Sequence, residues 1–152
     1  MNTINMARVV IGGLVAGLVM NAIDFVVNAV WLAPAWNQST KALGIDVASI
    51  QAGSAIGWIT SDFLAGILLV FIYAGIRPRF GPGPKTAVIA SLIIFAALHI
   101  AYASFVFMGL YPLSLCVQSA LGGLVAELAG GQIGCRLYQE QGAPQAARVL
   151  RS

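Results

Sequence analysis

Four long apolar stretches, each carrying an ionisable residue near its middle, set the pattern of this chain. They run over approximately 9–32, 55–76, 86–108 and 113–135. Each meets the roughly 18–20 residues that a helix needs to cross the hydrocarbon core of a bilayer. A buried soluble core does not need four uninterrupted runs of that length. The pattern therefore predicts an all-α fold, a transmembrane four-helix bundle over residues 1–138, with a polar tail over 139–152.

The connections between the stretches are of different kinds. The first, 33–54, is the longest, and Trp31, Trp36 and Trp58 lie where an aromatic belt would hold the chain at the membrane interface. Within it, 40–52 has the spacing of a short amphipathic helix with Leu43, Val47 and Ile50 on one side, suited to the membrane surface. The second, Arg77 to Thr86, reads as a stiff basic turn. Its Gly-Pro-Lys-Thr ending lacks the spacing of a phosphate-binding loop, and Pro82 and Pro84 remove amide donors a phosphate would need. Gly109-Leu110-Tyr111-Pro112 is a tight turn, which makes the last two helices antiparallel neighbours.

Composition agrees with this pattern. Of 152 residues 59% are hydrophobic and 9% charged, and mean hydropathy is +0.88. The net charge of +3 does not point to nucleic acid, because its placement has a simpler cause. Arg8, Arg77, Arg79, Lys85, Arg136, Arg148 and Arg151 all fall on one side of the predicted topology, and only Lys41 on the other. The excess of basic residues on the cytoplasmic side of membrane proteins then puts both N and C termini in the cytoplasm. Anionic lipid headgroups are expected near Arg77, Arg79 and Lys85. The first apolar run exceeds the 7–15 residues of a secretory leader and holds Asn21, Asp24 and Asn28, so it reads as a retained span. Cys116 and Cys135 lie about 28 Å apart along one helix and cannot pair within it.

Against that apolar background, Asp24, Asp62, His99 and Glu127 are the pointers to chemistry. Placing an Asp, Lys or Arg at the centre of a membrane helix costs roughly 2.5–3.5 kcal/mol on insertion scales. On the first helix Gly13, Gly17, Asn21, Asp24 and Asn28 fall within roughly 80° of the circumference. Gly13 and Gly17 form the small-residue spacing that lets helices approach closely in lipid. On the fourth, Ser119, Gly123, Glu127, Gly130 and Gly134 share a similar face, while Gly66 accompanies Asp62 and Tyr102 accompanies His99. Gly12–Leu18 and Gly122–Leu128 share a Gly-Gly-Leu-Val-Ala core, read as similar packing chemistry rather than duplication. Counted from each span's centre, Asp24, Asp62 and His99 lie about 3–5 Å to the outer side, with Glu127 slightly inward at about the level of Asn21.

Three carboxylates and one imidazole at such depth cannot all be ionised cheaply, since burial and mutual repulsion both disfavour the charged forms. At least one is expected to be protonated near neutral pH or neutralised by a cation, the signature of a proton relay or cation site. The same residues also serve as interhelical hydrogen-bond glue, at about 0.6 kcal/mol on average. A metal held by Asp24, Asp62 and His99 has the right ligand types but no local ligand motif. No cofactor is expected, and no nucleophile–base set, zinc motif or Gly-rich loop supports an enzyme.

The segment Asp62-Phe63-Leu64-Ala65-Gly66, followed by Tyr73-Ala74-Gly75-Ile76-Arg77-Pro78-Arg79-Phe80-Gly81-Pro82-Gly83-Pro84-Lys85-Thr86, resembles small bacterial four-span membrane proteins of unassigned function. The resemblance implies a bacterial inner membrane and brings no catalytic or binding residues with it. The leading expectation is a small transporter or channel-like protein for protons, cations or a small solute. Asp24, Asp62, His99, Glu127, Asn21 and Asn28 would line its path, and Gly13, Gly17, Gly66, Gly123 and Gly130 would pack its helices. A homodimer is expected if it transports. The alternative is a structural or accessory subunit packed against a larger membrane complex.

Overall fold

The computed structural model describes residues 4–140, and among these every regular element is helical. The predicted tail beyond residue 140 lies outside the described residues. Helix α1 spans Met6–Asp24, and Asn5 caps it by accepting a hydrogen bond from the Arg8 amide at 3.2 Å. The chain then widens into a π-helical segment, Phe25–Trp31, instead of continuing as the regular helix expected to residue 32. Phe-Val-Val-Asn-Ala-Val-Trp is rich in β-branched and aromatic side chains, which crowd an α-helical turn. The Leu32 amide correspondingly bonds to the Val27 carbonyl, five residues back.

Helix α2 spans Ala33–Ala42, and α3 spans Val47–Phe80. The amphipathic helix expected over 40–52 is therefore not one element. Gly44 adopts φ 77, a left-handed turn, and Asp46 caps α3 by accepting from the Ala48 amide at 3.2 Å. At 34 residues α3 is about 51 Å long, more than the roughly 30 Å of hydrocarbon it has to cross. It also runs through Pro78, where the stiff turn was expected to begin. Proline in the last turn forfeits one hydrogen bond, and the Gly81 amide still closes on the Arg77 carbonyl. The true turn is Gly81–Gly83, with φ of 83 and 126 at its two glycines. Helix α4 follows over Pro84–Phe107 and α5 over Leu113–Arg136, both close to the predicted bounds.

Helix α1 packs on α3 and α5, and α4 packs on the same two helices. Among the described residues four helical stretches are long and apolar enough to cross a membrane: Met6–Trp31, Gly53–Phe80, Pro84–Phe107 and Leu113–Arg136. Only 17–33% of each apolar window is buried inside the bundle. Side chains such as Ile100, Phe107 and Met108 point outward, at 76%, 86% and 69% exposure. In water such a surface would drive association, whereas in a bilayer it meets its own solvent. The chain is a multi-pass helical membrane protein.

Candidate functional site

Backbone proximity positions the polar residues. Gly13 and Gly17 on α1 face Phe63, Gly66 and Ile67 on α3. A Cβ at Gly17 would sit 2.7 Å from the Phe63 Cα and 2.9 Å from the Asp62 carbonyl oxygen, so only glycine admits this crossing. On its adjoining face α1 meets α5, where a Cβ at Gly130 would lie 2.8 Å from the Ala16 carbonyl oxygen. Gly12 and Gly134 make a second close approach on that side. Wedged between α3 and α5, α1 sets Asp24 within electrostatic range of Asp62 on the one and of Glu127 on the other.

Asp24, Asp62 and Glu127 accordingly interact electrostatically, Asp24 with Asp62 and Glu127 with both. Asp24 and Asp62 are half-buried, and Glu127 is 3% exposed. The Glu127 Oε2 is buried without a hydrogen-bond partner among the described residues, while its main-chain carbonyl accepts from the buried Ser91 hydroxyl at 2.9 Å. Beside the carboxylates, the Asn21 side-chain amide donates to the Gly17 carbonyl at 2.9 Å and across to the Ile59 carbonyl on α3 at 3.3 Å.

Asn28 is the hub of a second polar group. Its Oδ1 accepts from the Ser119 hydroxyl on α5 at 2.8 Å and from the Trp36 indole on α2 at 3.2 Å. Its amide donates to Asp24 Oδ1 at 3.4 Å. Tyr102 on α4 lies near Ser119 and Cys116. Through Asn28 and Asp24 all these groups connect to the carboxylates. Asn28 sits inside the π-helical segment, so the irregular turn is the one that carries the hub.

His99 makes its contacts with aromatic neighbours on its own helix and with the face of α5 at Gly123. Its ring stacks on Phe95 at 4.1 Å, its Nδ1 is 3.0 Å from the Phe95 carbonyl, and Tyr102 meets it edge-on. It lies over Gly123, where a Cβ would come within 3.1 Å of Nε2. Counting residues along a helix gives depth but not azimuth, and α4 approaches the bundle from the side away from α1. Among the described residues no three of His, Cys, Asp and Glu converge closely enough to hold a metal ion, so Asp24, Asp62 and His99 do not form a metal site.

Two other expectations need correction. Trp36 is not a belt residue: it turns inward to Asn28 and meets Tyr111 edge-on, with ring centroids 5.2 Å apart. Trp31 and Trp58 do face outward, at 63% and 62% exposure. Arg77 is not free for lipid either. It pairs with Glu140 at 3.0 Å and lies over the Tyr138 ring, leaving Arg79 and Lys85 exposed at that end. The same end is tied by Tyr73, whose hydroxyl accepts from the Gly83 amide at 3.1 Å, and by Gln132, which donates to the Pro84 carbonyl at 3.0 Å.

Sequence reasoning missed the Gly12–Gly134 approach, Ser91 and the inward role of Trp36. The first was legible as a second small-residue face on α1, one position before Gly13. No protein-family model matches the chain, and no curated protein or solved structure matches it either.

Proposed function

We propose that this chain is a small proton-conducting protein of the bacterial inner membrane, with its path running through Asp24, Asp62 and Glu127. The observation that supports it is that three carboxyl groups, one from each of three helices, lie within electrostatic range of one another, and one of them is buried with an oxygen that has no hydrogen-bond partner among the described residues. In a low-dielectric interior three such groups do not all ionise together. A set holding fewer charges than carboxyls passes protons between its members, and titrates as a unit. Asp24 and Asp62, half-buried, exchange with the surroundings, and Glu127 is the deep member.

A proton fits this site better than a metal cation, because the oxygen donors are too few and too dispersed to replace a hydration shell. His99 lies outside the path and serves α4–α5 packing. The one-sided basic residues favour cytoplasmic termini, with Arg79 and Lys85 meeting anionic headgroups. Pairing into a homodimer would cover part of the outward apolar surface.

A second reading, an accessory subunit of a larger membrane complex, is favoured by that same outward surface. Purified protein in liposomes with an imposed pH gradient and an internal pH-sensitive dye separates the two. The proposal expects dissipation by wild type and loss of flux in Asp24→Asn and Asp62→Asn variants that remain folded. If the isosteric variants alter only co-purification with other membrane proteins, the subunit reading replaces it.

A further inference from the structure

Between α2 and the turn joining α4 to α5 lies an open cleft of about 660 Å³. Ala35, Gln38 and Ser39 form one wall, and Tyr111, Pro112 and Ser114 the other. The lining mixes hydroxyl and amide groups with apolar ones and holds no charged side chain among the described residues. At about 30 Å³ per molecule it has room for roughly twenty waters, with polar partners to hold some of them. Tyr111 belongs both to this cleft and to the ring contact with Trp36. The Trp36 indole in turn donates to Asn28, which donates to Asp24. Tyr111 at the cleft and Trp36 behind it therefore link the cleft to the polar interior.

We propose that this cleft is the outer mouth of the polar path, a vestibule for water and hydronium, and that Trp36 closes it over Asn28 and Ser119. The purpose assigned to the mouth rests on the proton-conducting reading, but its geometry can be tested without any flux. An uncharged lining neither concentrates nor repels protons, so access is set by whether Trp36 is seated. Seating depends on one hydrogen bond to Asn28 and one edge-to-face contact with Tyr111. Removing both shifts the opening equilibrium by about tenfold or more.

The test is cysteine labelling in intact cells with a charged, membrane-impermeant thiol reagent, in a chain carrying Cys116→Ala and Cys135→Ala. Ser114→Cys reports the cleft itself, and Ser119→Cys the space beneath Trp36. The proposal expects rapid external labelling of Ser114→Cys, slow labelling of Ser119→Cys, and acceleration of the latter by about tenfold or more on adding Trp36→Ala. Trp36→Phe keeps a ring and loses the donor, so it should fall between, and it carries the test should Trp36→Ala fail to fold. Ser114→Cys that reacts only from the cytoplasmic side, or Ser119→Cys labelling that is indifferent to Trp36, overturns the proposal. Either result would leave the flux experiment on the carboxylates standing by itself.

Discussion

Replacing Gly66 by alanine tests the contact that brings the carboxylates together. The added Cβ would sit 2.6 Å from the Gly17 amide nitrogen and 3.0 Å from its Cα, both backbone atoms with no rotamer to yield. Ordinary contact requires α1 and α3 to separate by roughly 1 Å, and overpacking of this kind costs about 1–3 kcal/mol. Dispersion along the whole crossing weakens as well, at about 0.1–0.2 kcal/mol per atom pair. Against this stands the better helix propensity of alanine, about 1 kcal/mol at most. Gly75→Ala on the same helix is the control, since nothing lies within 4 Å of its Cβ position and only the propensity gain applies. Denaturant unfolding in detergent or bicelles, followed by circular dichroism, should show Gly66→Ala destabilised by about 1–2 kcal/mol and Gly75→Ala unchanged or slightly stabilised. Equal stability of the two variants would refute the close α1–α3 approach, and with it the reason Asp24 and Asp62 are neighbours.

Other substitutions probe separate parts of the account. Asn28→Ala removes the shared partner of Ser119, Trp36 and Asp24, and should cost about 1–3 kcal/mol, with Trp36 fluorescence moving to longer wavelength. Glu127→Leu takes away a buried carboxyl whose Oε2 has no partner among the described residues, so the unfolding free energy should rise by about 1 kcal/mol or more, while flux is lost. Gly123→Ala presses on the His99 ring at 3.1 Å, a side chain that can shift, and should cost under about 1 kcal/mol with flux retained.

The four spans were legible because long apolar runs are a length-and-composition signal that packing does not override. The glycine contacts at Gly13, Gly17 and Gly66 were legible for a related reason, since close approach in lipid needs small residues at helical spacing. The three carboxylates were legible individually, by their cost in a bilayer. For His99 residue counting fixes height and leaves the direction around the bundle open, so its contacts with Phe95 and Tyr102 and its place over Gly123 came from the structure. The π-helical segment at Phe25–Trp31 carries no pattern distinct from an α-helix of β-branched residues, so the irregular turn that holds Asn28 against Ser119 and Trp36 was hidden. Trp36 misled because a tryptophan at a span's edge is ordinarily an interface anchor, and here a hydrogen bond to Asn28 turns it inward.

The central claim, that buried carboxyls carry protons, meets its most direct test in Glu127→Gln. The substitution keeps the shape of a side chain that is 3% exposed and has no partner at Oε2, so the fold has little reason to change. Proton flux into liposomes containing only this protein is measured under an imposed pH gradient, beside the wild type at equal reconstitution. The account predicts clear dissipation by the wild type and flux no greater than that of empty liposomes for Glu127→Gln. Flux through the variant at the wild-type rate, or none through the wild type itself, would contradict it.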